Sequence, residues 1–167
     1  MLPTPEELKQ ALEQLLPGVS LTLDGQALIV SPQDLVAVCK CLKETERFGL
    51  DYLSNLTAVD YPPDQSAVPA TTPAGRIEVV YHLYSMTQKH GPVTLLVRLD
   101  RADPRVASVT PIWRSAEFQE REVYDLYGVR FEGHPDLRRI LMWEGFEGHP
   151  MRKDYVPEDQ DVLEERA

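Results

Sequence analysis

The sequence predicts an α+β fold: helices packed on a mostly antiparallel β-sheet, followed by a helix and a long extended C-terminal arm. Three observations lead there. Three β-rich runs succeed one another between Leu50 and Leu99, joined by loops without helical patterning. Two amphipathic stretches of helical spacing precede them, and a third follows. Beyond Gly128 neither period can be found, although proline and charge stay frequent.

The elements follow in order. Thr4, Pro5, Glu6 and Glu7 read as an N-cap, a proline at the first helical position and acids at the positive end of the helix dipole. Leu8, Leu12, Leu15 and Leu16 form the apolar stripe, and Pro17-Gly18 ends the helix. Val19 to Val30 holds two strand-like runs around Asp24-Gly25. Ser31-Pro32 opens a second helix that places Leu35, Val38, Cys39 and Leu42 inward and runs to about Arg47. Leu50–Tyr61 reads as a strand. The stretch 62–75, with four prolines and almost no bulky apolar side chain, reads as a mobile loop. Ile77–Met86 and Val93–Leu99 are strands joined by Lys89-His90-Gly91-Pro92. Residues 101–110 form a loop with one short regular element. A third helix spans roughly 112–127, with Gly128 closing it. Leu137–Trp143 suits a short helical turn or a strand, and the acidic end, 158–167, reads as frayed.

A chain of 167 residues fits one globular unit, residues 1–128, with residues 129–167 as a partner-binding arm. The net charge of −10 argues against nucleic acid and anionic lipid, both of which call for clustered positive charge. No apolar run reaches the eighteen residues of a membrane span, and the first residues lack the pattern of a secretory signal. Cys39 and Cys41 read as reduced structural thiols, since neither a C-x-x-C pair nor a four-cysteine set exists.

Residues 114–153 hold fifteen charges in forty positions, nearly balanced in sign. On the third helix Glu117 and Arg121, and Arg121 and Asp125, stand at i, i+4, while Glu122 and Asp125 share a face at i, i+3. Val123, Leu126, Tyr127 and Gln119 face the sheet. One reading is a solvated helix laced with weak ion pairs. The other takes helix and arm together. An extended segment alternating arginine with Phe, Trp, Met and Leu buries little against itself, and is ordered by a partner. The isolated arm is then expected to lack order.

The pentapeptide Phe-Glu-Gly-His-Pro occurs at 131–135 and again at 146–150, followed by Arg138-Arg139 and by Arg152-Lys153. Glu132, His134, Glu147 and His149 are compatible with a metal but do not specify one: there is no helical HExxH spacing. G-x-S-x-G, G-x-G-x-x-G and Walker motifs are also missing, so no catalytic or cofactor-binding constellation stands out.

The run EREVYDLYGVRFEGHPDLRRIL, Glu120–Leu141, resembles the signature of the C-type subunits (the 30 kDa subunit family) of proton-translocating NADH:quinone oxidoreductase, respiratory complex I. Glu120, Arg121, Glu122, Asp125, Leu126, Tyr127, His134 and Arg138 fill its places. GFEGHPMRKDY continues it, and the resemblance extends over about residues 30–157. It implies a non-catalytic subunit on the cytoplasmic face of the membrane, in the complex's peripheral arm, without insertion into the lipid. It implies binding to the D-type, hydrogenase-like subunit, with B-type and other peripheral subunits as further neighbours. FMN, iron–sulfur clusters, NADH and quinone would belong to the assembled complex, and this chain would bind none of them. An equivalent subunit of a ferredoxin-linked complex or membrane-bound hydrogenase is an alternative. A soluble metalloenzyme using His134 and His149 is another. On the family reading, the repeat marks two bends in an arm laid over the D-type subunit. Gly133 and Gly148 permit the bends, and Pro135 and Pro150 stiffen them. Arg138, Arg139, Arg152 and Lys153 would pair with partner acids or with the Glu120–Asp125 helix. Tyr127 and Gly128 complete the expected contact set.

Overall fold

The computed structural model describes residues 3–63 and 75–157. The elements are α1 (Pro5–Leu15), β1 (Thr22–Asp24), β2 (Ala27–Val30), α2 (Leu35–Glu44), β3 (Tyr52–Tyr61), β4 (Arg76–Ser85), β5 (His90–Asp100), β6 (Arg105–Ala107), α3 (Ala116–Tyr127) and β7 (Arg130–Glu132). The loop expected at 62–75 and the frayed end expected at 158–167 lie mostly or wholly outside the described residues.

α1 starts where the cap predicts. The Thr4 hydroxyl accepts from the Glu7 N–H, and the Glu7 carboxylate accepts in return from the Thr4 N–H at 2.8 Å, a reciprocal capping box. Leu8 and Leu12 are buried, but Leu15, expected on the same stripe, is exposed. α2 begins at Leu35, later than expected. Ser31 bonds Asp34 side chain to side chain at 2.7 Å, which holds Pro32–Asp34 in a turn ahead of the helix.

The main sheet has the order β1-β2-β5-β4-β3. Every pairing is antiparallel except β2 with β5, so the predicted class holds with one parallel pair. The parallel pair follows from connectivity: α2 and two strands intervene between β2 and β5, and the crossover brings the chain back in the same direction. Leu28, Val30, Leu53, Ala58, Val79, Tyr81, Leu83, Leu95 and Val97 point to one face and join Leu8 and Leu12 of α1 and Leu35, Val38, Cys39 and Leu42 of α2 in the core.

β3 is an edge strand of ten residues, and an uncovered edge would expose unpaired backbone groups. Here α3 and the turn before it cover that edge. The Trp113 indole N–H donates to the Leu50 carbonyl (3.0 Å), the Ser115 hydroxyl to the Leu53 carbonyl (3.0 Å), and the Leu56 N–H to the Gln119 side-chain oxygen. The helix starts at Ala116, because residues 110–115 are occupied by this turn. β6 and β7 form a small parallel ladder that buries Val106 and Phe131. It carries the chain out of α3 and into the arm.

Candidate interface: the C-terminal arm on its helix

α3 is not a solvated helix. Glu120, Arg121 and Asp125 are all buried, whereas Glu122 and Phe118 are exposed. The expected i, i+4 pairs do not form, because each buried group has a stronger commitment elsewhere. Glu122 and Asp125, expected on one face, divide between solvent and interior. Val123 and Gln119 do face the sheet, while Leu126 and Tyr127 are half-buried.

Asp125 is the centre of the arrangement. Its Oδ2 accepts the backbone N–H groups of Ile140 (3.0 Å), Leu141 (2.8 Å) and Met142 (2.9 Å). Its Oδ1 accepts from the Arg139 guanidinium at 2.6 Å. Burial alone would raise its pKa. The Met142 N–H, the Arg139 guanidinium and the N–H groups of Ile140 and Leu141 outweigh burial and hold the carboxyl below its usual range. This carboxylate explains why Leu137–Trp143 is neither helix nor strand: three consecutive N–H groups converge on one oxygen, which no regular element allows.

Arg121 works on the other side of the same loop. Its Nε donates to the Arg138 carbonyl (3.1 Å) and its terminal nitrogen to the Arg139 carbonyl (3.0 Å). Arg139 extends further, donating to the Gly148 carbonyl at 2.9 Å and lying over the Phe146 ring. It therefore ties the second copy of the repeat to the helix.

Both copies dock on α3 by the same device. The His134 ring meets the Glu117 carbonyl through Nε2 at 2.9 Å, and the His149 ring meets the Asp125 carbonyl through Nδ1 at 3.0 Å. Gly133 and Gly148 both have left-handed φ, 82° and 88°, which turns each histidine back toward the helix. Burial, with Arg152 and Arg139 nearby, holds the pKa of His149 below its usual value, against the raising effect of its bond to the Asp125 carbonyl. The repeat thus marks two bends laid on the chain's own helix. The two rings bind carbonyls eight residues apart, about 12 Å along a helix. Among the described residues no group of three or more His, Cys, Asp or Glu could hold a metal ion.

The second anchor lies at the far end of the sheet. The Met151 N–H donates to the Leu126 carbonyl (3.1 Å), the Arg152 Nε to the Tyr127 carbonyl (2.6 Å), and the Lys153 N–H to Asp60 (2.8 Å). Arg101 grips Asp60 through two nitrogens, at 2.6 and 2.9 Å, and also pairs with Asp154. The Lys153 ammonium lies over the Tyr61 ring. Cations at the last carbonyls of α3 complement its dipole. The arm expected to lack order is bonded, at points between residues 130 and 154, to β6, α3, β3 and the loop after β5.

Of the four cations expected to meet partner acids or the Glu120–Asp125 helix, Arg139 pairs with Asp125 of that helix and Arg152 turns inward to the Tyr127 carbonyl. Arg138 is exposed and pairs with Asp136, two residues away. Pro135 is exposed and Pro150 half-buried. Arg139→Ala is expected to cost about 2–3 kcal/mol, the worth of a charge-assisted bond to a buried carboxylate, and Arg138→Ala is expected to leave stability unchanged. Urea unfolding of the two variants checks the contrast. Asp60 and Arg101 were missed by sequence reasoning. They stand 41 positions apart, and neither lies in a patterned charge pair.

Glu120 faces inward, away from the arm. It accepts from the Ser108 hydroxyl (2.6 Å) and the Val109 N–H (2.7 Å), fixing the turn between β6 and α3. Burial pushes its pKa up to about 7, against the lowering effect of those two bonds. Cys39 of α2 and Tyr81 of β4 adjoin it, both fully buried and both pushed upward in pKa mainly by burial. The folded state therefore keeps a proton that the unfolded chain releases near pH 4.5. This contribution to stability is complete below that pH and is lost as pH rises through about 7. About 2–3 kcal/mol is expected to disappear between pH 5 and pH 8. Glu120→Gln, which keeps the acceptor for Val109, is expected to flatten that slope in urea titrations across the range.

The comparisons with known proteins match this geometry to a family. The family model described as "Respiratory-chain NADH dehydrogenase, 30 Kd subunit" matches residues 28–161, a span that includes α3 and the described arm. The chain belongs to this family. The NADH-quinone oxidoreductase C subunit of Moorella thermoacetica is 44% identical over 148 residues, covering 87% of this chain and 91% of that one. A C subunit of the same enzyme from Rhizobium meliloti (strain 1021) is 49% identical over 129 residues, covering 77% of this chain and 65% of that one. Some relatives are longer still: the chain spans 45% of the C subunit of Chloroherpeton thalassium. Among solved structures, the trypsin-resistant fragment of Nqo5 matches with a TM-score of 0.55 at 27% identity, over 81% of this chain and all of the fragment. A chain of the membrane-bound sulfane sulfur reductase, an archaeal respiratory membrane complex, shares the fold with a TM-score of 0.68 at 23% identity, over 98% of this chain and 91% of that one. The resemblance carried by Glu120–Leu141 is thus a family membership, and within that run Arg121, Asp125, His134 and Arg139 fasten arm to helix.

Proposed function

We propose that this 30 kDa-family chain is a non-catalytic subunit of the peripheral arm of proton-translocating NADH-quinone oxidoreductase, and that it binds the D-type subunit. The observation that carries the reading is the use made of the signature. Arg121 and Asp125 are spent on fixing the C-terminal arm in one pose, while the arm's outer side remains at the surface. That is the chemistry of a scaffold, which holds its neighbours in register. NADH, FMN, iron–sulfur clusters and quinone then belong to other subunits, and a B-type subunit is a further neighbour. The place is the cytoplasmic face of the membrane. No helix among the described residues is long and apolar enough to cross it, which suits a peripheral position.

Affinity purification of the tagged chain from solubilised membranes of its host, followed by mass spectrometry, tests this. Recovery of a D-type subunit with flavin- and cluster-bearing NADH dehydrogenase subunits is the expected result. D- and B-type subunits with ferredoxin-linked or hydrogenase components would move the chain to a related complex. Recovery of the chain alone in mild detergent would contradict the scaffold reading.

A further inference from the structure

Arg139 and Arg152 of the arm turn inward, while several of its large apolar side chains turn outward. Ile140, Leu141, Trp143 and Met151 are 37%, 56%, 50% and 53% exposed, in a chain whose other large apolar side chains are mostly buried. They gather around the last turn of α3: Ile140 and Leu141 hang from Asp125 by their N–H groups, and Met151 hangs from the Leu126 carbonyl. Trp143 is braced from behind. Its ring meets Phe146 edge-on at 4.8 Å, and Phe146 stacks on Tyr155 at 6.1 Å.

We propose that Ile140, Leu141, Trp143 and Met151 form an apolar docking ridge that enters an apolar groove of the neighbouring subunit. Burial of these side chains holds the contact, and the arm's arginines serve only to position the ridge. The inference rests on the scaffold reading and names the chemistry of its partner surface. Four features support it. The N–H groups of Ile140, Leu141 and Met142 are all taken by Asp125, so the ridge offers side chains and cannot extend a partner's sheet. Arg121, Arg139 and Arg152 are engaged by groups of the chain itself, so bidentate pairing with partner acids is not theirs to make. The pose is set before binding, which removes much of the ordering cost of association. Glu144 and Glu147 flank the ridge on a chain of net charge −10, which favours a protein groove over an anionic lipid surface.

The test is a binding titration of the purified chain against the purified D-type subunit, at about 50 mM and about 500 mM salt, a change that strongly shortens electrostatic range. Trp143→Ala is expected to weaken binding about 30-fold or more, the loss typical of a central aromatic anchor. Leu141→Ala and Met151→Ala are expected to weaken it by smaller factors. Arg138→Ala and the salt change are expected to move the wild-type affinity less than about threefold. All of these side chains are exposed, and unchanged thermal unfolding would confirm that the variants fold. Wild-type affinity in Trp143→Ala, Leu141→Ala and Met151→Ala alike would overturn the ridge while leaving the D-type partner in place. A tenfold or greater loss in high salt, about 500 mM, would also overturn it. Absence of wild-type binding would sink the scaffold reading itself. Trp143-dependent self-association in sedimentation, or Trp143-dependent binding to phosphatidylcholine–phosphatidylglycerol vesicles, would replace the groove by a second copy or by lipid.

Discussion

Asp125→Asn is expected to destabilise the folded chain by about 3–5 kcal/mol, the usual cost of removing one partner from a buried charge pair. The carboxylate is fully buried and accepts four donors, from Arg139 and from three successive backbone N–H groups. An amide turns one acceptor into a donor. It then faces either the guanidinium or the N–H groups with the wrong polarity, and leaves the cation of Arg139 without its counter-charge. Urea unfolding measures the loss. The pH dependence gives a second check. The folded carboxyl titrates below its ordinary range, so its contribution is present above about pH 4 and disappears as pH falls through the lower, folded value. The variant should lack that acid sensitivity. A loss under about 1 kcal/mol would mean that the arm is held elsewhere.

The second large effect is expected at Gly128, where α3 ends. Its φ of 76° lies in the left-handed region, and a Cβ there would stand 2.6 Å from Nε2 of His149 and 3.0 Å from an Arg152 terminal nitrogen. Gly128→Ala combines backbone strain of about 1–2 kcal/mol with displacement of His149 from the Asp125 carbonyl, a further loss of about 1 kcal/mol. A total of about 2–3 kcal/mol is expected by urea unfolding, with faster hydrogen exchange confined to residues 149–153. Equal acceleration across the sheet would show that the arm and the core unfold as one unit.

The sequence shows its local physics plainly and its long-range polar bonds hardly at all. The capping box of α1, the stripes of α1 and α2, the β-rich runs and the closing glycine of α3 are each set by neighbours within four residues, and each lies near its expected place. The starts of α2 and α3 came later than expected, because the Ser31–Asp34 turn and the edge-covering turn at 110–115 compete with helix there. The site was legible as a set of residues, since the signature is dense. Its wiring was not. Helical spacing suggested that Arg121 would pair with Glu117 or Asp125, yet the arm's carbonyls and N–H groups claim both ends. Nothing in a pattern of charges shows that backbone groups 15 to 18 residues away are the partners. The Asp60–Arg101–Asp154 anchor was hidden for the same reason, because it joins three distant segments.

The duplicated pentapeptide has a simple physical sense. A glycine with left-handed φ followed by histidine places a ring nitrogen against a helix carbonyl, and doing so twice pins an arm without regular structure at two points of one helix. The proline after each histidine keeps the chain from continuing as helix.

The central claim is that the arm is held by the chain's own α3 before any partner arrives. Native-state hydrogen exchange on the isolated chain tests it most directly, read at the amides of Ile140, Leu141, Met142, Met151 and Lys153. Slow exchange at these five amides, lost selectively at 140–142 in Asp125→Asn, is the predicted result. Exchange at the rate of an unstructured peptide in the wild-type chain, with the sheet still protected, would contradict it and return the ordering of the arm to its partner.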